Sequence, residues 1–303
     1  MNRTLRFVMA GLLITMPGSC IAQPTPSHVK REPEAGKVAL VPIAVRPAPL
    51  SIGVFKLNRA PQQGTIALGI VPVGTMRLVK DGADVPIAPD GRFVIGFGRD
   101  HAPVAVVVAF QSGGKSVSER MSVAPRVWKI ENLPTLPRFS QPDAEFQARR
   151  PAELAQINAA RRIDAKSDGW RQTFIWPARG RISGVFGSQR IYRGEPGAPH
   201  SGVDVAGATG TRVVAPVDGV VVLAAASPFT LEGNLLMIDH GMGLNSVFLH
   251  LSRIDVKKGE IVHQGQPVGA IGMTGRATGP HLHWGMKWNE ERIDPAPLAG
   301  VMR

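Results

Sequence analysis

Short apolar runs separated by turn residues dominate the chain between Leu50 and Val127. Their lengths suit β-strands, and the turns Lys80-Asp81-Gly82 and Pro89-Asp90-Gly91 are typical of hairpins because Asp-Gly pairs favour tight reversals. The spacing of the runs predicts a small antiparallel sandwich over residues 50–127. Since this stretch contains no arrangement of metal ligands or of a nucleophile with its base, we expect it to bind, space or position rather than to catalyse.

A helical pattern replaces the strand pattern between residues 128 and 171. Leu154, Ile157 and Ala160 recur at helical spacing, which predicts one or two short helices with Pro151 at a helix start. The segment is rich in arginine, and we interpret these side chains as a solvated helix face. We therefore expect a short helical connector.

Strand signals return in denser form over residues 172–303. The apolar runs are bounded by Gly, Pro or Asp-Gly and leave no room for a helix of ordinary length, so we predict a mostly antiparallel β-domain. The expected fold class is mainly β, with a sandwich-like module at 50–127, a connector at 128–171 and a C-terminal β-domain.

The first 22 residues are typical of a secretory signal. Met1–Arg6 is positively charged, and the apolar run from Phe7 to Met16 is too short to span a bilayer. Small residues at Cys20 and Ala22 fit cleavage after Ala22. We therefore expect an exported protein of the periplasm or cell envelope, without stable membrane insertion after cleavage.

Cleavage after residue 22 removes Cys20, the single cysteine of the chain. The mature protein is then expected to contain no disulfide and to use His, Asp or Glu for any metal. A lipoprotein acylated at Cys20 is the alternative, and it is disfavoured because Pro17 stands where a bacterial lipobox usually carries leucine. Residues 23–49 are rich in proline and are expected to form an exposed leader.

Composition narrows the class of partner. The chain has 303 residues and a formal net charge of +12, and it stays strongly basic when Arg3 and Arg6 leave with the signal. An acidic partner is expected, but the basic residues are scattered and the chain has a single tyrosine, which argues against nucleic acid. Carboxylate-rich cell-wall peptides suit the compartment better, and a solvated surface without a partner is the alternative.

Two histidine motifs carry the candidate chemistry. The segment Gly279-Pro280-His281-Leu282-His283-Trp284 places His281 and His283 on one face of a short strand. Upstream, His200 and Asp204 stand four residues apart and also share a face. Two imidazoles and a carboxylate can hold a zinc ion, although for either motif alone a chance spacing is the alternative.

The order of these motifs resembles the lysostaphin-type or LytM-type zinc metallopeptidases of bacterial cell walls. The resemblance runs from about Ile182 to Asp294, and its motifs include His200-x-x-x-Asp204, Phe248-Leu249-His250-Leu251 and the stretch from Gly272 to His283. It implies a C-terminal domain of the duplicated hybrid motif type. It also implies an endopeptidase that hydrolyses peptide bonds of peptidoglycan by metal-activated water. The N-terminal module is loosely similar to accessory domains of envelope members.

Roles for individual side chains follow from this resemblance. It implies one Zn²⁺ per chain held by His200, Asp204 and His283, with the fourth position left to water. His250 and His281 match the non-ligand histidines, which act as general base and as stabilisers of the tetrahedral intermediate. Which of these two takes the proton stays open.

Three further positions have mixed interpretations. Tyr192, the single tyrosine, is a candidate hydrogen-bond donor to the oxyanion, with simple packing as the alternative, because this chain has Phe248 where the family often has tyrosine. His240 and His263 match no ligand position, and we interpret both as structural or exposed. His101 is expected on a surface loop.

Two other functions compete with the enzyme. A non-catalytic LytM-type regulator of cell-wall amidases is the first, and it is disfavoured because all three ligand positions are intact. A wall-binding module is the second, suggested by the sandwich and by Trp284 and Trp288 as exposed aromatic candidates.

Overall fold

The computed structural model describes residues 50–135 and 143–302. The predicted signal peptide (1–22) and leader (23–49) lie outside the described residues, as do residues 136–142 of the predicted connector. In the part of the chain that is described, no helix combines the length and apolar character needed to cross a membrane. All described residues belong to one compact unit.

The N-terminal module is a pair of four-stranded antiparallel sheets. The strands are β1 (Leu50–Ile52), β2 (Phe55–Leu57), β3 (Thr65–Ile70), β4 (Thr75–Lys80), β5 (Ala83–Val85), β6 (Arg92–Phe97), β7 (Val104–Gln111) and β8 (Ser116–Ser122). One sheet has the order β1-β2-β3-β6 and the other β5-β4-β7-β8. The rings of Phe55 and Phe93 meet edge-on at 6.2 Å, and Leu78 and Met121 of the second sheet are buried in the same apolar cluster.

The predicted connector supplies a strand, β9 (Ile130–Leu133), as well as a helix, α1 (Ala144–Arg161). Pro151 lies inside α1, so the prediction of a helix start at this proline is wrong. The helix begins earlier because the Asp143 side chain accepts a hydrogen bond from the Phe146 amide at 2.8 Å and caps the first turn. A proline inside a helix costs about 3 kcal/mol, which the docking of α1 must offset.

Helix α1 docks through charged groups, so its arginine face is not simply solvated. Arg150 donates two hydrogen bonds to Glu232, at 2.6 and 2.8 Å, and its side chain is 17% exposed. Glu153 accepts from the amide and the hydroxyl of Thr230 at 2.7 and 2.6 Å. These bonds join the connector to the segment that precedes the strand from Asn234.

The C-terminal half is built from antiparallel strands, in agreement with the sequence pattern. They are β10 (Arg181–Gly184), β11 (Gln189–Tyr192), β12 (Glu195–Pro196), β13 (Gly202–Ala206), β14 (Arg212–Val214), β15 (Gly219–Ala224), β16 (Asn234–Asp239), β17 (Leu244–Leu251), β18 (Arg253–Ile254), β19 (Ile261–Val262), β20 (Pro267–Ala270), β21 (His281–Trp288) and β22 (Glu291–Ile293), followed by α2 (Ala296–Ala299). The main sheet has the order β10-β13-β21-β17-β16-β15-β19, with β22 also on β21. A second sheet, β14-β20-β18, completes the domain. The mainly β prediction is confirmed.

A small third sheet, β12-β11-β9, joins the connector to the C-terminal half. Strand β9 pairs in parallel with β11, from Gln189 opposite Ile130 to Tyr192 opposite Leu133. One apolar cluster runs through both halves of the molecule. Because the core is shared, the boundaries at residues 127 and 171 stay predictions.

Three side chains that the sequence analysis places at the surface are buried in the structure. Trp284 is fully buried and Trp288 is 5% exposed, so neither is a surface residue available to a carbohydrate. Residues 282–288 of their strand are all buried, so the burial does not follow the alternation of a half-exposed strand. His101 is also largely buried, with its side chain 7% exposed, and its ring packs edge-on against Phe97 at 5.4 Å.

Candidate metal centre

Strand pairing brings the two histidine motifs together. Strands β13 and β21 are antiparallel neighbours, and their register places Asp204 opposite His283 and Ala206 opposite His281. Since paired residues of neighbouring strands point to the same face of the sheet, these side chains gather on one surface. His200 lies just before β13 and reaches the same place.

Three atoms converge at this surface. His200 Nε2 lies 3.1 Å from Asp204 Oδ1 and 3.1 Å from His283 Nδ1, and His283 Nδ1 lies 2.9 Å from Asp204 Oδ1. His283 is buried, whereas His200 and Asp204 are partly exposed. These are the three residues that the family resemblance implies as ligands, and the structure brings them together.

A backbone carbonyl fixes the His200 ring. Its Nδ1 lies 3.1 Å from the Val185 carbonyl oxygen, which can only accept, so we assign the ring proton to Nδ1. The lone pair of Nε2 then faces Asp204 and His283. Metal-binding histidines are commonly oriented in this way.

Charge in the cluster is dominated by the ionised carboxylate. Burial raises the pKa of Asp204, but protonation of His200 or His283 on the nitrogen that faces the carboxylate would supply a hydrogen bond and a positive charge, and these outweigh burial and hold the pKa well below its usual range. Burial lowers the pKa of His283, which favours the neutral ring. Burial also lowers the pKa of His200, but the hydrogen bond that a protonated Nε2 would donate to Asp204 and the carboxylate charge outweigh burial, so that the net direction is upward.

The donor set fits a zinc ion. Two imidazole nitrogens and one carboxylate oxygen are ordinary zinc ligands, and three protein ligands are typical of catalytic sites. Ligand atoms each about 2 Å from one ion lie about 3 Å or slightly more from one another, which is close to the separations in this cluster. Among the described residues, none forms a hydrogen bond with the buried His283 Nε2, whereas Nδ1 faces Asp204 and His200.

His250 and His281 lie beside the cluster. His281 Nε2 is 3.8 Å from Asp204 Oδ1, and the centroids of the His250 and His281 rings are 4.9 Å apart. His281 Nδ1 lies 2.8 Å from the Gly279 carbonyl and His250 Nδ1 lies 2.8 Å from the Thr274 carbonyl. By the same argument as for His200, both rings carry their proton on Nδ1 and keep a lone pair on Nε2.

The environment of His250 differs from that of a surface histidine. It is 8% exposed, and its backbone adopts a left-handed φ of 63°, which is uncommon for a residue with a side chain although histidine adopts it more often than most. Burial lowers its pKa to about 4, so the ring is neutral near pH 7. Strained backbone at this position is compatible with a functional role.

Tyr192 lies on the wall of the groove that contains the cluster. This cavity has a volume of about 1520 Å³, and His200, Asp204, His281 and Tyr192 all line it. Hydrogen bonds to Glu131 and Tyr192 raise the pKa of the Arg190 guanidinium, and the bond to Glu131 has the larger effect. Glu131 lies on β9, so the connector forms part of the groove wall.

Sequence reasoning missed the groups that orient the rings and build the wall. The carbonyls of Val185, Gly279 and Thr274 leave no side-chain signature. The lining cations of the groove are Lys129, Arg181, Arg190, Arg193 and Arg276. Their scatter along the chain conceals that they share one cavity.

The remaining histidines of the C-terminal half lie away from the cluster. His240 is fully buried, with Nε2 2.8 Å from Ser246 Oγ and Nδ1 2.9 Å from the Asp218 carbonyl. The His263 side chain is 74% exposed. These are the structural and exposed environments expected for the two residues.

The fold and the cluster together define a β-domain with a candidate mononuclear metal site and two further histidines beside it. Residues 198–295 match Peptidase family M23. A crystal structure from Pseudomonas aeruginosa that is assigned to peptidase M23 is 30% identical, with a TM-score of 0.61, over 80% of this chain and 96% of that chain. The chain belongs to Peptidase family M23.

Two curated proteins are similar to part of the chain. Peptidoglycan DD-endopeptidase ShyA of Vibrio cholerae is 44% identical over 114 residues, which cover 37% of this chain and 26% of that protein. DD-carboxypeptidase/endopeptidase Mpg of Neisseria meningitidis is 37% identical over 123 residues, which cover 39% of this chain and 27% of that protein. The match spans about a quarter of the length of these relatives.

Proposed function

We propose that this protein is a zinc-dependent endopeptidase that hydrolyses peptide bonds of bacterial peptidoglycan. The observation that carries the proposal is the convergence of His200 Nε2, Asp204 Oδ1 and His283 Nδ1 within 3.1 Å of one another, with two further imidazoles beside them. The matches to ShyA and Mpg support the reaction class and the substrate class.

His200, Asp204 and His283 would hold one Zn²⁺. Zinc in such a site supplies Lewis-acid chemistry, since it lowers the pKa of water and polarises a carbonyl. The carboxylate of Asp204 would partly neutralise the ion, and the Val185 carbonyl orients the His200 ring so that Nε2 faces Asp204 and His283.

His250 and His281 would move the protons. Each has an unprotonated Nε2 and a ring fixed by a carbonyl, so either can accept a proton from the attacking water and return it to the leaving amine. Tyr192 on the groove wall would donate a hydrogen bond to the substrate carbonyl oxygen as it gains charge.

The substrate would lie along the groove described above. The walls of this groove carry more basic than acidic side chains, which suits a peptide substrate with several carboxylates. The charged start and short apolar run at residues 1–22 support export to the periplasm or cell envelope, where peptidoglycan is found.

The regulator alternative predicts a different result in a single experiment. The purified protein is assayed for metal and incubated with isolated peptidoglycan, and new amine termini are counted. We expect about one zinc per chain and release of peptides, and removal of the metal by a chelator should stop the release. A metal-free protein that releases nothing would favour the regulator.

A further inference from the structure

The turn formed by residues 185–189 makes three hydrogen bonds with His200, one to its ring and two to its backbone. The Val185 carbonyl lies 3.1 Å from His200 Nδ1. The Gly187 amide donates to the His200 carbonyl at 2.9 Å, and the His200 amide donates to the Ser188 carbonyl at 2.8 Å. The ring and the backbone of this candidate ligand therefore depend on the position of one turn.

Arg99 reaches this turn from the N-terminal sandwich. It follows β6, and its Nε donates to the Gly187 carbonyl at 2.9 Å while Nη2 donates to Gln189 Oε1 at 3.2 Å. The Arg99 side chain is 13% exposed. A planar guanidinium that donates two such bonds fixes both the position and the orientation of the turn.

The Trp128 ring lies against both the Arg99 guanidinium and the turn. The Arg99 guanidinium lies 5.4 Å from the Trp128 ring centroid, a favourable cation–π distance. The same ring packs against Gly187, whose φ is +76°, so that a side chain there would both collide with the ring and strain the backbone. The turn is thus confined between the sandwich and the start of the connector.

We propose that Arg99 is a positioning residue for His200, which gives the sandwich a direct part in building the metal site. This inference rests on the proposed function, because it takes His200 as a zinc ligand. Without Arg99 the turn can move, so the Val185 carbonyl no longer has a fixed position. The His200 ring then loses the hydrogen bond that orients its Nε2 lone pair towards Asp204 and His283. Groups that orient a ligand typically change metal affinity by about 10- to 100-fold.

The test measures zinc affinity of the full chain by competition with a chromophoric chelator. We expect Arg99→Gln to raise the zinc dissociation constant by about tenfold, the lower end of that range because Arg99 acts through the turn. Arg99→Lys keeps the charge but loses the planar fork, so its constant should lie between those of the wild type and Arg99→Gln.

Asp90→Asn is the matched control. Asp90 also joins the sandwich to the following part of the chain, through Arg171 Nη1 of the connector at 2.7 Å, but neither residue belongs to the 185–189 turn. We expect this variant to keep the wild-type zinc constant. A second readout is turnover. Excess zinc should restore it in Arg99→Gln, because the variant loses turnover only through incomplete zinc occupancy of its metal site.

Each outcome has a distinct meaning. Wild-type zinc affinity in Arg99→Gln would overturn the positioning role, and so would an equal loss in Asp90→Asn, because a general weakening of the interface would then explain it. A wild-type chain that binds no zinc would overturn the proposed function itself, and this inference with it.

Discussion

The two halves of the molecule each contain a histidine–aspartate cluster, and the clusters differ in the source of positive charge. In the sandwich, Lys80 Nζ lies 2.6 Å from Asp81 Oδ2 and 2.9 Å from His101 Nε2, so an ammonium joins the carboxylate to the imidazole. In the C-terminal half, the Oδ1 atom of Asp204 meets imidazole nitrogens of His200 and His283.

One ring in each cluster, His101 and His200, is oriented in the same way. His101 Nδ1 lies 2.7 Å from the Ala102 carbonyl, as His200 Nδ1 lies 3.1 Å from Val185, so each presents the lone pair of Nε2. Lys80 is 5% exposed, and a buried charge of this kind is stable only when it is paired. The sandwich cluster is thus completed by the chain's own cation, whereas the second cluster is suited to a cation from outside.

The largest effect is expected when a proposed zinc ligand is removed, and it tests whether only the C-terminal cluster takes its cation from outside. Asp204→Ala and His283→Ala each remove one of three proposed ligands, so we expect zinc affinity to fall by more than about 100-fold, beyond the usual effect of an orienting group, and activity to be lost. Asp81→Asn is the matched change in the sandwich and should keep zinc. Metal analysis after dialysis against a chelator distinguishes them, and stoichiometric zinc in Asp204→Ala would remove the ligand assignment.

A smaller loss is expected from the histidines beside the cluster. His281→Ala and His250→Ala should retain zinc but lower kcat by about 10²- to 10⁴-fold, the usual contribution of a general acid or base. Release of amine termini and metal content are measured on the same preparations. Wild-type turnover in either variant would assign that residue a structural role.

Tyr192→Phe tests the groove wall with a single lost hydroxyl. If the hydroxyl donates to the developing oxyanion, kcat should fall by about 10²-fold while zinc content stays unchanged, the lower end for one such donor. A change of less than about threefold would support the packing interpretation, since one oxyanion donor contributes far more than that.

His240 extends the comparison to a buried histidine whose ring nitrogens contact a backbone carbonyl and a serine hydroxyl rather than a carboxylate oxygen. Burial lowers its pKa to about 4, against about 6.5 in the unfolded chain. Its contribution to stability is therefore complete above pH 6.5 and is lost as the pH falls towards 4, by up to about 3 kcal/mol. Urea unfolding at several pH values should show this loss in the wild type, and His240→Asn should show a correspondingly weaker pH dependence.

Several features could be predicted from local patterns because they depend on near neighbours in the chain. The period-two spacing of His281 and His283 puts both on one face, and apolar runs with glycine-rich turns predict strands. The burial of Trp284 and His101 could not be predicted, because it depends on distant segments that cover them. The helix through Pro151 likewise depends on docking contacts such as the one between Arg150 and Glu232.

By itself, the sequence predicted the β class and showed that two motifs could supply metal ligands, since residue type and local spacing set which chemistry is available, and the family resemblance of its motifs selected His200, Asp204 and His283 as candidate ligands and His250 and His281 as the histidines beside them. Only the tertiary structure decided that Asp204 stands opposite His283 and that Arg99 of the sandwich holds the turn beneath His200. Strand register and contacts between distant segments are selected by packing of the whole chain, because the free energy that favours them comes from burial and hydrogen bonding across it rather than from neighbouring residues.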